Sequence, residues 1–351
     1  MTVEDVAAKA DGGPAWPDRL APSETRYLAA ACRRFGYRFR IVDGDGYLIE
    51  IGDGNRTIVV GAGRASIYPV NSAAAFTLTK DKRHTATLLD DRGIANLGGE
   101  LFFVSGHHRR YRGGGREAED ALAHADAHGY PLFAKPNLGA RGDLAEIVPD
   151  RARLAAYLAE AATRYDAILL QDVVAGREYR VLTLDNAVIY AVERADAQVM
   201  GDGATSLSGL IAAYNAGISG TGISEVPEAA VARIAATNGV TAGEPVARGR
   251  VVVLPGRRNL SAAGHGERLM VEDVPPPLAR IARAAAAATG LVIAGIDVID
   301  CSAAQDLSDL RVMEVNGAPG LMTLEALGRM DLIEEIWRRV LALAFGATGG
   351  A

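Results

Sequence analysis

Two apolar, strand-like segments near the C-terminus carry acidic residues in otherwise hydrophobic surroundings. Residues 291–300 contain Asp297, and residues 310–316 contain Glu314 and Asn316. Alternate residues of a strand point to the same face of a sheet, so Glu314 and Asn316 share one face. If the two segments are neighbouring strands, Asp297 lies beside them. The sequence therefore predicts a sheet that carries three oxygen donors on one face.

These three side chains have the chemistry of a magnesium site. Hard divalent cations prefer oxygen ligands, and Mg²⁺ typically uses one or two protein carboxylates together with waters and nucleotide phosphates. We therefore predict that Asp297, Glu314 and Asn316 hold Mg²⁺ and that the accompanying ligand is a nucleoside triphosphate.

The rest of the chain alternates helical and strand-like segments. The apolar periodicity and the turn residues predict a mixed α/β protein, more narrowly α+β, with a substantial antiparallel component. Its predicted helices are residues 23–35 (with Ser23 as cap), 80–92, 117–128, 150–163, 207–214, 227–238, 277–289 and 332–345. Its predicted strands are residues 37–42, 47–51, 57–60, 130–136, 167–172, 178–184, 187–193, 250–254, 291–300 and 310–316, with one further strand between residues 143 and 150.

Length and charge limit the class of protein. At 351 residues the chain exceeds what one hydrophobic core usually supports, so we expect two or three packed units. The net charge of −6 gives no sign of nucleic-acid binding, and no apolar run is long enough to span a membrane. Two cysteines, Cys32 and Cys301, and no apolar signal segment favour a cytoplasmic location.

Two lysines precede the acidic strands and suit phosphate binding. Lys135 ends a predicted strand, and Lys82 begins a predicted helix. A single lysine at such a place is usually an ordinary surface residue whose stem packs on apolar neighbours. A glycine-containing loop, residues 139–143, follows Lys135. Two lysines ahead of the strand that carries Glu314 and Asn316 make a phosphate site the better interpretation.

Polar residues on the predicted hairpin 178–193 are candidates for contacts with ribose and substrate. Glu178 is placed to accept hydrogen bonds from ribose hydroxyls, and its alternative role is a surface carboxylate. Arg180 lies on the same strand face, and Arg194 follows the paired strand. Both arginines suit bidentate recognition of phosphate or carboxylate, although each alone is more often a solvated residue.

A basic, glycine-rich segment, residues 107–116, interrupts the region between two predicted helices. It permits two interpretations: a mobile cover or anion-binding loop, or a solvated surface insertion. The surface insertion is slightly favoured.

In order along the chain, Lys82, Lys135, Glu178, Asp297, Glu314 and Asn316 resemble the ATP-binding and metal-binding positions of the ATP-grasp superfamily of carboxylate-amine ligases. A finer resemblance is to the ATP-grasp domains of cyanophycin synthetases and bifunctional glutathione synthetases. It rests on residues 193–203, 259–261 and 295–298.

The resemblance implies an ATP-grasp fold with two α+β lobes that grip ATP. The implied units are a preceding α/β region (1–79), a central lobe with the glycine loop (80–175) and a C-terminal lobe with the metal site (176–346). The implied ATP ligands are Lys82, Lys135, Gly139, Arg141, Gly142, Gln171, Asp172, Val174 and Glu178. The implied metal ligands are Asp297, Glu314 and Asn316, holding two Mg²⁺ ions with Mn²⁺ as an alternative.

The resemblance also implies an activity, amide or peptide bond formation between a carboxylate and an amine through an acyl phosphate, with release of ADP and phosphate. Arg180, Arg194 and Arg250 are expected to hold the acyl phosphate or substrate carboxylates, and residues 66–71 to line the substrate site. The expected partners are small-molecule or peptide substrates and further copies of the chain. A kinase on the same scaffold and a non-catalytic nucleotide-binding module are the alternatives.

Overall fold

The computed structural model describes residues 22–63, 65–107, 109–140, 142–194, 197–218, 225–254 and 268–346. These residues form four antiparallel sheets with flanking helices. The expectation of a mixed α/β protein with large antiparallel sheets is therefore confirmed. None of the described helices is both long enough and apolar enough to span a bilayer.

The N-terminal part is a helix on a three-stranded antiparallel sheet, followed by two helices. Pro22, and not Ser23, occupies the N-cap of the first helix, so the predicted Ser23 cap is wrong by one position. Asp81 caps the third helix through the amide of His84, which makes Lys82 the first helical residue. The elements are α1 (Ser23–Phe35), β1 (Arg38–Ile41), β2 (Leu48–Gly52), β3 (Thr57–Gly61), α2 (Ala73–Leu78) and α3 (Lys82–Asp91).

The central part is a four-stranded sheet in the order β4-β7-β5-β6 with two helices on one face. Leu132 and Ala134 are buried among those helices, and the intervening Phe133 and Lys135 point to the opposite face. That opposite face forms one wall of a cleft. The elements are β4 (Glu100–Phe103), α4 (Ala118–His128), β5 (Leu132–Pro136), β6 (Glu146–Val148), α5 (Arg151–Ala161) and β7 (Ala167–Asp172).

The C-terminal part is built on a five-stranded sheet in the order β12-β9-β8-β13-β14. One face packs on helix α8 through buried residues such as Val181, Ile296 and Val298. The other face carries the second wall of the cleft. The elements are β8 (Arg177–Leu184), β9 (Ala187–Arg194), β12 (Arg268–Met270), α8 (Pro276–Thr289), β13 (Ile293–Asp300) and β14 (Leu310–Asn316).

A small unit with its own apolar core lies between β9 and β12 in the chain. Its two short strands pair with each other, Ala197 opposite Leu254, and are separate from the five-stranded sheet. The elements are β10 (Ala197–Met200), α6 (Leu207–Ile218), α7 (Glu228–Asn238) and β11 (Val251–Leu254).

The last two helices, α9 (Met322–Ala326) and α10 (Met330–Phe345), pack against the N-terminal part. Trp337 stacks on Tyr68 with 5.0 Å between ring centroids. Leu182 and Ile293, on the cleft-side face of the five-stranded sheet, join the same core. The N-terminal part thus covers one end of that face and leaves the other end to the cleft. The domain boundaries expected near residues 79 and 175 stay predictions.

Candidate functional site

A cleft of about 390 Å³ lies between the four-stranded and the five-stranded sheets. Strands β5 and β7 line one wall, and β8, β13 and β14 line the other. The predicted site residues that it brings together are Lys82, Lys135, Gly139, Gly142, Gln171, Asp172, Val174, Glu178, Arg194, Asp297 and Glu314.

Three of the predicted site residues that the structure describes do not line the cleft directly. Arg180 lies beside it and binds Asp297. Asn316 ends β14, two residues after Glu314. Arg250 lies in the small unit, where its guanidinium donates to the carbonyls of residues 238 and 239 at the end of α7. Arg141 lies outside the described residues.

Asp297 is the centre of the charged wall. It lies opposite Arg180 on β8 and opposite Glu314 on β14, so the register of three strands places the charges side by side. Arg180 donates to both carboxylate oxygens, from Nε at 2.7 Å and from Nη2 at 2.6 Å. Arg194 Nη2 lies 3.4 Å from Asp297 Oδ1. Burial alone would raise the pKa of Asp297, but the two arginines hold it below its usual range.

A β-bulge in β14 shapes the acidic edge. Asp297 pairs with Glu314 but Val298 pairs with Val312, so Met313 is the extra residue. The bulge lets both Met313 and Glu314 line the cleft. Beyond it, normal alternation returns Asn316 to the same face as Glu314.

Two lysine ammonium groups face this acidic edge from the opposite side. Lys82 Nζ lies 3.3 Å from Glu314 Oε1 and donates to the carbonyl of Gly139 in the glycine loop. Burial, with a smaller contribution from the neighbouring charge of Lys82, lowers the pKa of Lys135 to about 8 against the opposing effects of Glu314 and Asp297. Lys135 is thus a desolvated cation that gains from any anion placed beside it.

Asn137, which the sequence analysis did not single out, fixes Lys82. This residue is 6% exposed and directly follows β5. Its side-chain oxygen accepts from the amide of Arg83 at 2.9 Å, and its carbonyl accepts from the amide of Lys82 at 3.3 Å. The first turn of α3 is thereby held against the strand that carries Lys135.

The remaining lining is apolar on one side and suits a flat heterocycle. Phe133, Ile147, Val173 and Met313 line this part, and Phe133, Ile147 and Met313 were not predicted as site residues. Periodicity gives no signal for them, because such residues are equally common in a core. Nearby, the Gln171 side-chain amide donates to the carbonyl of Gly98.

Asp172, which was predicted to be an ATP ligand, has a partner that the sequence did not suggest. Its carboxylate lies 2.6 Å from Nε2 of His128, at the end of α4. This contact fixes the chain where it leaves the four-stranded sheet for the other wall.

The acidic edge fits a divalent cation. Asp297, Glu314 and Asn316 are oxygen donors on one face, and each carboxylate retains acceptor capacity beyond its contact with Arg180 or Lys82. In the described ranges, no cluster of three or more His, Cys, Asp or Glu side chains has a metal-binding arrangement. With two carboxylates and one amide as donors, the edge suits an ion that completes its coordination with waters and phosphate oxygens.

The chain is similar in sequence to cyanophycin synthetases. It is 29% identical over 255 residues to the enzyme of Geminocystis herdmanii, covering 69% of this chain and 28% of the relative. It is 25% identical over 335 residues to that of Crocosphaera subtropica, covering 91% of this chain and 35% of the relative. The chain thus spans about a third of the length of these curated relatives. No family model matches it.

The fold is similar to that of a bifunctional glutathione synthetase from Pasteurella multocida. The superposition has a TM-score of 0.52 with 21% sequence identity, and it covers 89% of this chain and 45% of that one. The aligned part includes most of the described residues.

Proposed function

We propose that this chain, which has the ATP-grasp fold and is a member of the ATP-grasp superfamily, is an ATP-dependent ligase. It would join a carboxylate to an amine through an acyl phosphate. The observation that carries the proposal is the meeting of two lysines with an Asp–Glu–Asn edge across one cleft, because this arrangement suits a metal-bound triphosphate.

The two walls have separate roles in this proposal. Lys82 and Lys135 bind the phosphates from one side, and the glycine loop covers them. Asp297, Glu314 and Asn316 hold the divalent cation, Mg²⁺ or Mn²⁺, on the other side. When bound, the cation supplies further charge neutralisation at the phosphate oxygens.

Adenine fits the apolar end of the cleft. Phe133, Ile147 and Met313 offer apolar contact area there, and residues 171–174 line the same cleft. Glu178, on the adjoining wall, is placed for the ribose hydroxyls. Together these contacts would direct the γ-phosphoryl group toward Arg194 and Asp297.

The proposed reaction has two steps. A substrate carboxylate attacks the γ-phosphorus, and ADP leaves with the electrons of the broken P–O bond. The amine then attacks the acyl carbon, phosphate leaves, and the amine loses a proton. Arg194, supported by Arg180, would neutralise the carboxylate and the acyl phosphate. Catalysis would rest on positioning and fixed charge, with no protein nucleophile.

The substrates proposed are an amino acid or a peptide on each side, and we propose a homo-oligomer in the cytoplasm. The absence of a disulfide between the two cysteines supports the location, since Cys32 and Cys301 are both free thiols.

Phosphate release from Mg·ATP, measured across pooled amino acids and short peptides with mass spectrometry of responding pools, tests the proposal. We expect ADP and a product lighter by one water than its two substrates. The Glu314→Ala variant should keep its circular dichroism spectrum and lose turnover. A stable phosphorylated product formed without an amine would replace the ligase with a kinase. Nucleotide binding without turnover in any pool would favour a binding module.

A further inference from the structure

The segment from Tyr68 to Asn71 connects the N-terminal part to the loop that follows Asn316. The carboxamide of Asn71 donates to the carbonyls of Ile293 and Gly317, both at 2.8 Å. Its oxygen accepts from the amides of Val292 and Ile293 at 2.8 and 3.0 Å. A carboxamide has two N–H groups and two acceptor sites, so these four bonds use all of them.

These bonds join two strand ends that need to keep their register. β13 begins at Ile293 and β14 ends at Asn316, and Gly295 lies opposite Asn316 in the ladder. Asn71 binds backbone groups of both chain segments just beyond this last pair, at residues 292–293 and at Gly317. It therefore fixes Asn316 where the strand pairing stops.

Tyr68 fixes the same loop two residues further along. Its hydroxyl donates to the carbonyl of Pro319 at 2.7 Å. The ring is 1% exposed and stacks on Trp337, so this donor has little freedom to move. Pro319 in turn packs on Gly295, where an added Cβ would lie 2.9 Å from the proline Cβ. Pro319 in this loop thus contacts both Tyr68 and Gly295.

We infer that Tyr68 and Asn71 are positioning residues for Asn316, and through it for the divalent cation. The inference rests on the proposed function, because it assumes that Asn316 ligates the metal. Since all hydrogen-bonding groups of the Asn71 carboxamide are used by backbone, Asn71 acts through the loop and does not bind substrate. This role differs from the substrate-lining role expected for residues 66–71.

Two substitutions, one more disruptive than the other, test the inference. Asn71→Asp keeps the size of the side chain and the two accepted bonds, but it places an anionic oxygen against two carbonyls. Tyr68→Phe keeps the ring stack and removes only the hydroxyl. The matched control is Asn215→Asp, since Asn215 binds the amide and carbonyl of Val226 at 2.8 and 2.9 Å in the small unit.

The measurements are Mn²⁺ binding in the presence of ADP, by electron paramagnetic resonance, and amide hydrogen exchange of residues 314–321 in metal-free protein. We expect Asn71→Asp to weaken Mn²⁺ binding about 10-fold and Tyr68→Phe to weaken it less. Exchange in the loop should rise in both variants. ADP affinity in EDTA should stay unchanged, and Asn215→Asp should behave as wild type.

Folded Asn71→Asp and Tyr68→Phe variants with wild-type Mn²⁺ affinity would overturn the inference, as would an equal loss in Asn215→Asp. If Asn71→Asp does not fold, Tyr68→Phe decides. A wild-type chain that binds no Mn²⁺ with ADP would instead overturn the proposed function, and the role in metal positioning with it.

Discussion

Arg180 and Asp297 form a two-point ion pair across adjacent strands, with both donor–acceptor distances below 2.8 Å. Asp297 is 7% exposed, and Arg194 adds a second cation at 3.4 Å. Burial alone would lower the pKa of Arg180, but its pair with Asp297 raises it above the usual value. Both groups therefore stay charged, and the site holds a fixed carboxylate with little room to rearrange.

Replacing Asp297 by Asn should destabilise the protein. The change leaves two arginines beside a neutral amide, and breaking a buried pair by removing one partner costs about 3–5 kcal/mol. Urea denaturation would measure the loss. Asp309→Asn is the matched control, because Asp309 also pairs bidentately with an arginine, Arg311, but both side chains are about 40% exposed. We expect a small change there, and an equal loss in both variants would contradict a buried-pair effect at Asp297.

Nucleotide affinity should fall as pH rises above about 8. Lys135 has a pKa lowered to about 8, so below that pH it is a cation and above it becomes neutral. A bound triphosphate favours the protonated form of Lys135, so nucleotide binding near pH 8 is accompanied by uptake of a proton. Above pH 8 the nucleotide affinity therefore falls by at most about tenfold per pH unit. Calorimetry in buffers of different ionisation enthalpy measures the proton uptake.

The Lys135→Met variant provides the control for that pH dependence. It should bind nucleotide more weakly at pH 7 and lose the proton uptake near pH 8. Unchanged uptake in this variant would assign the titration to another group.

Much of the fold was predictable from sequence because its main strands are long and strongly patterned. The hairpin of β8 and β9 turns at Asp185 and Asn186, which both have positive φ, 51° and 59°. The short strands β4, β10 and β12 were missed, since three or four residues carry too little pattern.

The site was less predictable where it depends on register. The pairing of Asp297 with Arg180 needs the alignment of two strands 117 residues apart in sequence. The bulge at Met313 has no recognisable signature in the amino-acid sequence. Asn71 and Asn137 act on backbone groups distant in sequence, and a single polar residue does not reveal such partners. The position of Asp297 beside Glu314 was predicted from the sequence, but the contacts of Asp297 with Arg180 and Arg194 were not.

Arg194 and Arg250 should differ in their effect on catalysis. Arg194 lines the cleft beside Asp297, so Arg194→Met should lower turnover about 100-fold or more by removing a charge from the reacting groups. Arg250 binds carbonyls at the end of α7, so Arg250→Met should leave turnover near wild type and cost about 0.5–1 kcal/mol of stability. Steady-state phosphate release and thermal denaturation separate the two. A large loss of turnover in Arg250→Met would show that the small unit contributes to the site.

The same substitution at two glycines should have opposite effects on stability. At Gly295 an added Cβ would lie 2.9 Å from the Cβ of Pro319, so Gly295→Ala should push the loop after Asn316 away and cost about 1–3 kcal/mol. At Gly217, in helix α6, no atom of the described residues lies within 4 Å of an added Cβ, and alanine should stabilise the helix by about 0.5–1 kcal/mol. Urea denaturation would measure the change in the free energy of unfolding for each variant, a decrease for Gly295→Ala and an increase for Gly217→Ala. Because the Gly295 change would displace Asn316, the proposed metal ligand, the Mn²⁺ affinity of the variant should fall as well. A Gly295→Ala protein of wild-type stability would mean that the loop is not tightly packed on β13.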